Sequence, residues 1–171
     1  MVQVYCGDGK GKTTAALGLC LRAAGHGKRV LLVQFLKGQP TGELASLARI
    51  PEVTVLRGKA SEKFTFQMDE RELQQTYDLN TKNLLTVQEQ VRVGGYSLVV
   101  LDEIFAALSC ELVDEDLLRH LLEGLPEAVE LVLTGRNPPD WVLERAGYIT
   151  EMVCRRHPYD RGISAREGIE F

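Results

Sequence analysis

Residues 7–14 form a glycine-rich segment whose residue types could bind phosphate groups. They read Gly-Asp-Gly-Lys-Gly-Lys-Thr-Thr, between an apolar run at 2–6 and a stretch of helical character at 15–24. Strand, glycine loop, Gly-Lys-Thr and helix are the context of a phosphate-binding P-loop. Backbone N–H groups and the helix N-terminus would bind phosphate oxygens. The predicted nucleotide-binding residues are therefore Gly7, Asp8, Gly9, Lys10, Gly11, Lys12, Thr13 and Thr14.

Two side chains of this loop have specific expected roles. Lys12 would reach the terminal phosphates, and the Thr13 hydroxyl would ligate Mg²⁺. The usual P-loop pattern has glycine five residues before the Gly-Lys pair, where this chain has Cys6. The dinucleotide fingerprint G-x-G-x-x-G is not met either. The alternative interpretation is a glycine-rich turn that binds nothing.

An acidic pair, Asp102 and Glu103, follows the apolar run 97–101. Several apolar residues followed by an acid form the Walker B pattern, which holds Mg²⁺ directly or through water. The alternative is a solvent-facing acidic pair at the end of a strand. Together with a P-loop, the pair predicts a magnesium site formed by Thr13, Asp102 and Glu103.

Further polar residues follow other predicted strands. Gln34, Lys37 and Glu43 come after the apolar run 30–35, and Arg136 comes after the run 129–133. These positions suit nucleotide contacts, although a surface loop would give the same pattern. Near the C-terminus, His157 lies within a segment rich in anion-binding side chains, which could equally be a solvated tail.

Phe64 and Phe66 lie in a polar segment before a long predicted helix. In an extended loop the two rings would face the same way. They could form a wall for a flat apolar ligand. The residue pattern alone favours a hydrophobic anchor instead.

Strand and helix patterns alternate along the chain. Continuous apolar runs of this kind are typical of buried parallel strands, and ligands in such folds bind beyond the carboxyl ends of the strands. We therefore expect one α/β domain over residues 1–171, with a mainly parallel central sheet flanked by helices and the polar segments converging on one edge. The predicted strands cover 2–6, 30–35, 53–56, 97–101, 129–133 and 149–153, and the predicted helices cover 15–24, 69–93, 115–124 and a turn of helix after Pro139.

Composition limits the classes of function. The chain has 171 residues, 44% of them hydrophobic, and a net charge of −4, so we expect no general attraction to nucleic acid or to anionic membranes. Its four cysteines form no C-x-x-C pair, which argues against a metal or disulfide framework. Cys6 and Cys20 should pack as small apolar residues. Because the first strand begins at the initiator Met1, we expect no signal peptide and a cytoplasmic protein.

Taken together, these segments resemble the P-loop ATP:corrinoid adenosyltransferases, which act on cob(I)alamin or cob(I)yrinic acid a,c-diamide. The resemblance covers essentially the whole chain, and the order and spacing of its pieces are more specific than a P-loop alone. This family also lacks glycine at the position of Cys6. The matching pieces are 5–16, 24–28, 33–38, 42–43, 64–66, 101–103, 134–136 and 157–171.

The resemblance implies a RecA-like, P-loop NTPase-like fold and a particular reaction. A Co(I) corrinoid would attack the 5′ carbon of ATP, and triphosphate would leave, stabilised by Lys12, loop N–H groups and Mg²⁺ where its charge develops. An electron donor such as a flavoprotein reductase and a homodimer are also implied.

The resemblance also changes the interpretation of Phe64 and Phe66. They match a family aromatic pair on the corrinoid side, although the second residue there is often tryptophan. An apolar wall that displaces the lower axial ligand would ease reduction of Co(II) to Co(I), since axial ligation controls a metal's potential. Many members of the family also carry an N-terminal extension, which precedes the first strand and helps to cover the active site.

Two other functions compete with this one. A P-loop NTPase or kinase would act on the γ-phosphate, with Arg136 as a candidate arginine finger. A non-catalytic, nucleotide-dependent interaction module would also contain a P-loop, although intact Lys12, Thr13 and Asp102 argue against it.

Overall fold

Strands and helices alternate along the polypeptide. A computed structural model describes residues 1–59, 63 and 65–170. The strands are β1 (Val2–Cys6), β2 (Val30–Phe35), β3 (Val53–Gly58), β4 (Leu98–Asp102), β5 (Glu130–Thr134) and β6 (Tyr148–Glu151). The helices are α1 (Lys12–Ala24), α2 (Gly42–Leu47), α3 (Glu70–Arg92), α4 (Ile104–Ser109), α5 (Glu115–Glu123) and α6 (Asp140–Leu143), with short 3-10 turns at Thr65–Gln67 and Pro158–Arg161.

The six strands form one sheet in the order β3-β2-β4-β5-β1-β6, and every neighbouring pair is parallel. This confirms the predicted parallel sheet flanked by helices. Strand β5 lies between β1, which precedes the glycine loop, and β4, which ends in the acidic pair. The register pairs Gln34 with Asp102 and Tyr5 with Thr134. The carboxyl ends of these strands therefore meet at one edge.

Apolar side chains cover both faces of the sheet. Side chains alternate between the two faces along each strand. In β2, Val30 and Leu32 pack with residues of α1, while Leu31, Val33 and Phe35 pack with residues of α3, α4 and α5. The six-residue run is buried throughout because helices cover both faces.

The long helix α3 begins where its sequence provides an N-cap. Asp69 accepts a hydrogen bond from the Glu72 N–H at 2.9 Å, and the Glu72 side chain accepts one from the Asp69 N–H at 3.0 Å. This reciprocal capping box satisfies two backbone donors that the first helical turn would leave unpaired. Two glycines, Gly94 and Gly95, follow the end of the helix at Arg92, as expected.

Some local predictions were wrong. Helices α2 and α4 were not predicted. Residues 65–67 form a 3-10 turn, so the extended loop assumed for the aromatic pair is not the observed backbone at Phe66. Phe64 lies outside the described residues.

Cys6 and Cys20 are buried, as predicted. Within the part of the chain that the structure describes, no helix is long and apolar enough to cross a bilayer.

Candidate nucleotide-binding site

A cavity of about 880 Å³ opens at the edge of the sheet where the predicted polar segments meet. The glycine loop, the segment after β2, the acidic residue after β4 and the residue after β5 all contribute to its wall. The lining residues are Asp8–Thr14, Leu17, Leu36–Gln39, Thr41–Glu43, Ser46, Lys59, Glu103, Arg136, His157 and Gly168–Glu170.

The glycine loop wraps around the ammonium group of Lys12. Gly7 and Gly11 have φ angles of 94° and 121°, in the left-handed region that favours glycine. Lys12 begins α1, and its Nζ donates hydrogen bonds to the carbonyl oxygens of Gly7 at 2.7 Å and Gly9 at 2.9 Å. The side chain is only 8% exposed. The expected phosphate-binding cation therefore lies at the loop, held by the loop's own carbonyls.

The chain that follows β6 runs against this loop. The Gly9 N–H donates to the carbonyl oxygen of Met152 at 2.6 Å, and the Met152 N–H donates to the carbonyl of Cys6 at 2.8 Å. A Cβ atom on Gly9 would lie 2.5 Å from the Met152 oxygen. Glycine is thus required here for the close approach of residue 152. The Gly9 N–H is therefore bonded to protein and does not face the cavity as a donor for phosphate.

Thr13, Asp102 and Thr134 form a hydrogen-bonded group behind the cavity wall. The Thr13 hydroxyl donates to Asp102 Oδ1 at 2.9 Å, which joins residues 89 positions apart. The Thr134 hydroxyl donates to the same oxygen at 2.7 Å. Asp102 and Thr134 are fully buried. The alternative of a solvent-facing acidic pair is therefore wrong for Asp102.

A second group of charged side chains compensates the other oxygen of Asp102. Lys37 Nζ lies 2.9 Å from Asp102 Oδ2 and 3.6 Å from Glu43 Oε1. The Lys37 ammonium is thus the ion-pair partner of Oδ2, whereas the two threonine hydroxyls bind Oδ1. Gln34 is fully buried and donates to Glu43 Oε1 at 3.0 Å. It does not line the cavity and supports Glu43 from behind.

The ionisation of Glu43 reflects this network. Burial raises its pKa, but hydrogen bonds from its own backbone N–H, from Thr41 and from Gln34, together with the charge of Lys37, outweigh that effect and lower the pKa overall. Glu43 is therefore held as a carboxylate on the cavity wall. It contributes negative charge that Lys37 balances.

Glu103 has the opposite behaviour. Its φ of 60° is in the left-handed region, which is uncommon for a residue other than glycine, and its N–H donates to the Thr134 hydroxyl at 2.9 Å. Burial raises the pKa of Glu103, and the neighbouring Asp102 carboxylate adds to the rise. The charges of Lys12, Lys37 and Arg136 oppose this rise in pKa without cancelling it, because a nearby cation favours the charged form.

Arg136 and His157 also line the cavity. Arg136 Nε is 3.5 Å from Asp8 Oδ1, and both side chains are mostly exposed. His157 Nδ1 accepts a hydrogen bond from the Tyr159 N–H at 3.2 Å. Phe66 is 82% exposed and does not line the cavity. The structure thus brings the predicted phosphate-loop, acidic and strand-end residues together, and places Phe66 elsewhere on the surface.

Residues 168–170 were not predicted to line the site, although His157 of the same C-terminal segment was. Lys10 Nζ donates to Glu170 Oε1 at 2.8 Å and to the carbonyl oxygen of Ile169 at 3.2 Å. Hydrogen bonds from the Arg166 side chain, from Lys10 and from the Arg166 N–H lower the pKa of Glu170 to about 2. No local sequence signal places a residue beside one 160 positions earlier. Lys59 was also missed, although it follows β3 at the same sheet edge.

Comparison with known proteins gives a family match over the whole chain. The model of the family described as ATP:corrinoid adenosyltransferase BtuR/CobO/CobP matches residues 1–171. A corrinoid adenosyltransferase of Sinorhizobium sp is 34% identical over 173 residues, with coverage of 100% of this chain and 80% of that protein. The corrinoid adenosyltransferase of Pseudomonas aeruginosa is 35% identical over 98% of this chain and 82% of its own length.

Two proteins of lower sequence identity also match this chain. The corrinoid adenosyltransferase of Escherichia coli K12 is 31% identical over 100% of this chain and 85% of its own length. Among solved structures, a KaiC-like protein from Pyrococcus horikoshii aligns with a TM-score of 0.48 and 19% identity, over 99% of this chain and 66% of that one. That structural similarity is too low to carry an argument.

Proposed function

This chain belongs to the ATP:corrinoid adenosyltransferase family, and we propose the roles that its residues play in transferring the 5′-deoxyadenosyl group of ATP to a Co(I) corrinoid. In this reaction the electron pair of Co(I) forms a bond to the 5′ carbon. The bond between that carbon and the 5′ oxygen breaks, and triphosphate leaves with the bonding electrons. The protein must therefore stabilise negative charge on the leaving group.

The observation that carries this proposal is the position of Lys12 and Thr13 on the cavity wall, next to the buried Asp102. A cation and backbone N–H groups placed where charge develops lower the barrier most effectively in a site that excludes water. We infer that the Lys12 ammonium leaves the carbonyls of Gly7 and Gly9 and binds triphosphate oxygens. Thr14, Lys37 and Arg136 line the same cavity and add donors for the same anion.

Mg²⁺ fits the donors on this wall. Asp102 Oδ2 is buried, with the Lys37 ammonium as an ion-pair partner that a bound ion would displace, and the Thr13 hydroxyl lies beside the same carboxylate. Hydroxyl and carboxylate oxygens are the ligands that Mg²⁺ takes, usually with nucleotide phosphates and water completing the shell. Among the described residues, no group of three or more His, Cys, Asp or Glu side chains could hold a metal ion. We therefore propose an ion that arrives with ATP and is held through Thr13 and Asp102, with Glu103 nearby. When bound, it would neutralise charge on the triphosphate.

The corrinoid requires an apolar surface outside the phosphate cavity. Phe66 is a large apolar side chain that is 82% exposed, which supports its assignment to the corrinoid side. The same assignment for Phe64 remains a proposal based on the family resemblance, since Phe64 lies outside the described residues. An electron donor such as a flavoprotein reductase would supply Co(I), because the reaction begins from that state.

Two further proposals concern the protein as a whole. A homodimer follows from the family resemblance, and sedimentation velocity would test it. A cytoplasmic location is supported by the unpaired state of Cys6, Cys20, Cys110 and Cys154, since reducing compartments keep thiols free.

Reaction at the γ-phosphate gains no support, because the relatives reported above are corrinoid adenosyltransferases.

Anaerobic incubation with ATP, Mg²⁺ and chemically prepared Co(I) cobalamin tests the proposal. Formation of a photolabile carbon–cobalt bond should be visible by absorption spectroscopy and should depend on the protein. Lys12→Ala, assayed in parallel, should lose most of the rate. Unchanged turnover by this variant would contradict the role given to Lys12.

A further inference from the structure

Thr134 is fully buried at the end of β5, between the strand that precedes the glycine loop and the strand that ends in Asp102. It does not line the cavity, so it does not contact a nucleotide there. Its hydroxyl nevertheless bonds to the Asp102 carboxylate and to the backbone N–H of Glu103. A buried hydroxyl therefore connects the Asp102 side chain with the backbone of Glu103, next to the proposed Mg²⁺ position.

The hydrogen bonds of Thr134 have fixed directions. Its single hydroxyl proton goes to Asp102 Oδ1 at 2.7 Å, and its oxygen accepts the Glu103 N–H at 2.9 Å. Since Thr13 donates to the same Oδ1, that oxygen has two hydroxyl donors. The other oxygen, Oδ2, is directed towards Lys37 and has no hydrogen bond. The two threonines thereby occupy Oδ1 and leave Oδ2 as the carboxylate oxygen that faces a cation, which in this structure is the Lys37 ammonium.

The second bond fixes the backbone of Glu103. A φ of 60° is unfavourable for a glutamate, and such a conformation persists where the surroundings hold it. The bond to Thr134 contributes to holding it, and helix α4 begins at the next residue. In this conformation Glu103 lines the cavity.

We propose that Thr134 is a positioning residue that orients Asp102 and Glu103 for the cation that accompanies ATP. This inference rests on the proposed Mg²⁺ site and deepens it. Outer partners that orient metal-binding groups affect metal affinity or activity by about 10- to 100-fold. Thr134 has that relation to Asp102, although it does not touch the substrate.

The test compares Thr134→Val with a matched control, Thr76→Val. Thr76 is also fully buried, and its recorded partners among the described residues are local: the carbonyl oxygen of Glu72 at 2.8 Å and the sulfur of Met68 at 3.9 Å. Both changes remove one buried hydroxyl and keep a β-branched side chain. ATP affinity is measured by calorimetry in EDTA and at increasing Mg²⁺, and Mn²⁺ binding to the protein–ATP complex is followed by electron paramagnetic resonance.

In Thr134→Val the enhancement of ATP affinity by Mg²⁺ should fall about 10- to 100-fold, while the affinity in EDTA stays close to that of the parent. The Mn²⁺ signal of the complex should weaken in parallel. Thr134→Ser, which keeps the hydroxyl, should restore both readouts. Thr76→Val should lower the melting temperature and leave the cation enhancement unchanged.

Three results would overturn the inference. An intact cation enhancement in Thr134→Val, or an equal loss in Thr76→Val, would leave Thr134 with a structural role only. If Thr134→Val does not fold, Thr134→Cys gives the same comparison, because a thiol of similar size is a weak donor. Absence of any Mg²⁺ effect in the unmodified protein would overturn both this inference and the proposed metal site. In that case, formation of the carbon–cobalt bond would still test the adenosyl transfer separately.

Discussion

Two walls of the same cavity are built in different ways. On the inner wall, Lys12 is 8% exposed, and Asp102 behind it is fully buried within hydrogen bonds between β4, β5 and α1. The outer wall is formed by the C-terminal segment, whose residues 153–170 are all exposed. Its contacts with the glycine loop include those of Lys10 with the Glu170 carboxylate and with the carbonyl oxygen of Ile169.

The inner wall is preorganised by its buried hydrogen bonds, whereas the outer wall is exposed and can adapt. Buried hydrogen bonds in a packed sheet hold donors in place before the substrate arrives, which is the requirement for stabilising a leaving group. Exposed ion pairs contribute about 0.2–1 kcal/mol and are screened by salt. We therefore expect changes on the inner wall to affect catalysis strongly, and changes on the outer wall to affect ATP binding weakly.

The largest effect should come from Lys12→Ala on the inner wall. Removal of one donor to a developing anion typically costs about 10²-fold or more in rate. Turnover at saturating ATP and Co(I) corrinoid measures the loss. Lys28→Ala, which removes an exposed lysine after α1, is the matched control and should react at the parental rate. A similar loss in both variants would contradict the special role of the inner wall.

A change at Phe66 should depend on the oxidation state of cobalt. If this side chain contributes to an apolar wall that displaces the lower axial ligand, Phe66→Ala should lose far more activity from Co(II) with a mild reductant than from prepared Co(I). Since the ring is 82% exposed, its removal should change the free energy of unfolding by no more than about 0.5 kcal/mol.

The control for this experiment is Leu85→Ala, which truncates another exposed apolar side chain, on α3. It should react like the parent from both cobalt states. Equal losses by Phe66→Ala in the two assays, with an unchanged spectrum of bound Co(II), would return Phe66 to the role of a hydrophobic anchor.

Glu103→Gln should stabilise the protein in the absence of Mg²⁺ and ATP. Burial, with the Asp102 charge, raises the pKa of Glu103, so the folded state binds a proton more readily than the unfolded chain. Its charged form therefore destabilises the fold above the raised pKa, and this penalty disappears as the pH falls through it.

Thermal unfolding in EDTA measures this effect. The melting temperature of Glu103→Gln should exceed that of the parent near neutral pH, and the difference should shrink towards acid pH. Glu127→Gln, at an exposed position before β5, is the control and should behave like the parent at each pH. If Glu103→Gln unfolds at a lower temperature than the parent at neutral pH, the expectation is wrong, and interactions of the Glu103 carboxylate outweigh the cost of its burial.

The smallest effect should come from Glu170→Gln on the outer wall. Release of Lys10 from the carboxylate adds positive charge to the loop and should tighten ATP binding by at most about fivefold at low salt. Because the pKa of Glu170 is about 2, the ion pair is complete well above that pH and is lost only as the pH falls towards it. The effect should therefore be the same across the neutral range.

Calorimetric titration with ATP at low and high salt tests this expectation. High salt should remove the difference between Glu170→Gln and the parent. Glu167→Gln, an exposed neighbour in the same segment, should bind ATP like the parent throughout. A loss of ATP affinity in Glu170→Gln would mean that the carboxylate contributes to the site in a way other than by holding Lys10.

The inner wall could be predicted from sequence because its parts follow buried strands. Long apolar runs fixed β2, β4 and β5 to within about one residue, and the glycine loop has local spacing that demands a turn. The short helices α2 and α4 were missed. Neither has a side-chain hydrogen bond at its N-cap. Helix α4 also begins after Glu103, whose left-handed backbone conformation no local sequence pattern predicts.

The order of strands and the outer wall had no local signal. That β5 separates β1 from β4 is a property of the crossovers, and it alone brings Thr134 next to Asp102. Likewise, the ion pair of Lys10 with Glu170 depends on the path of the exposed C-terminal segment. Sequence patterns indicate which residues are buried and with what period. A contact between two exposed side chains that are far apart in the sequence produces no such pattern.

The most direct test of the central claim is the fate of the phosphates of ATP in an anaerobic reaction with Co(I) corrinoid. The account predicts that intact triphosphate accumulates in proportion to the carbon–cobalt bond, and that both products decline together in Lys12→Ala. If ADP and phosphate are the only nucleotide products and no carbon–cobalt bond forms, the assignment of this cavity to a leaving triphosphate is wrong.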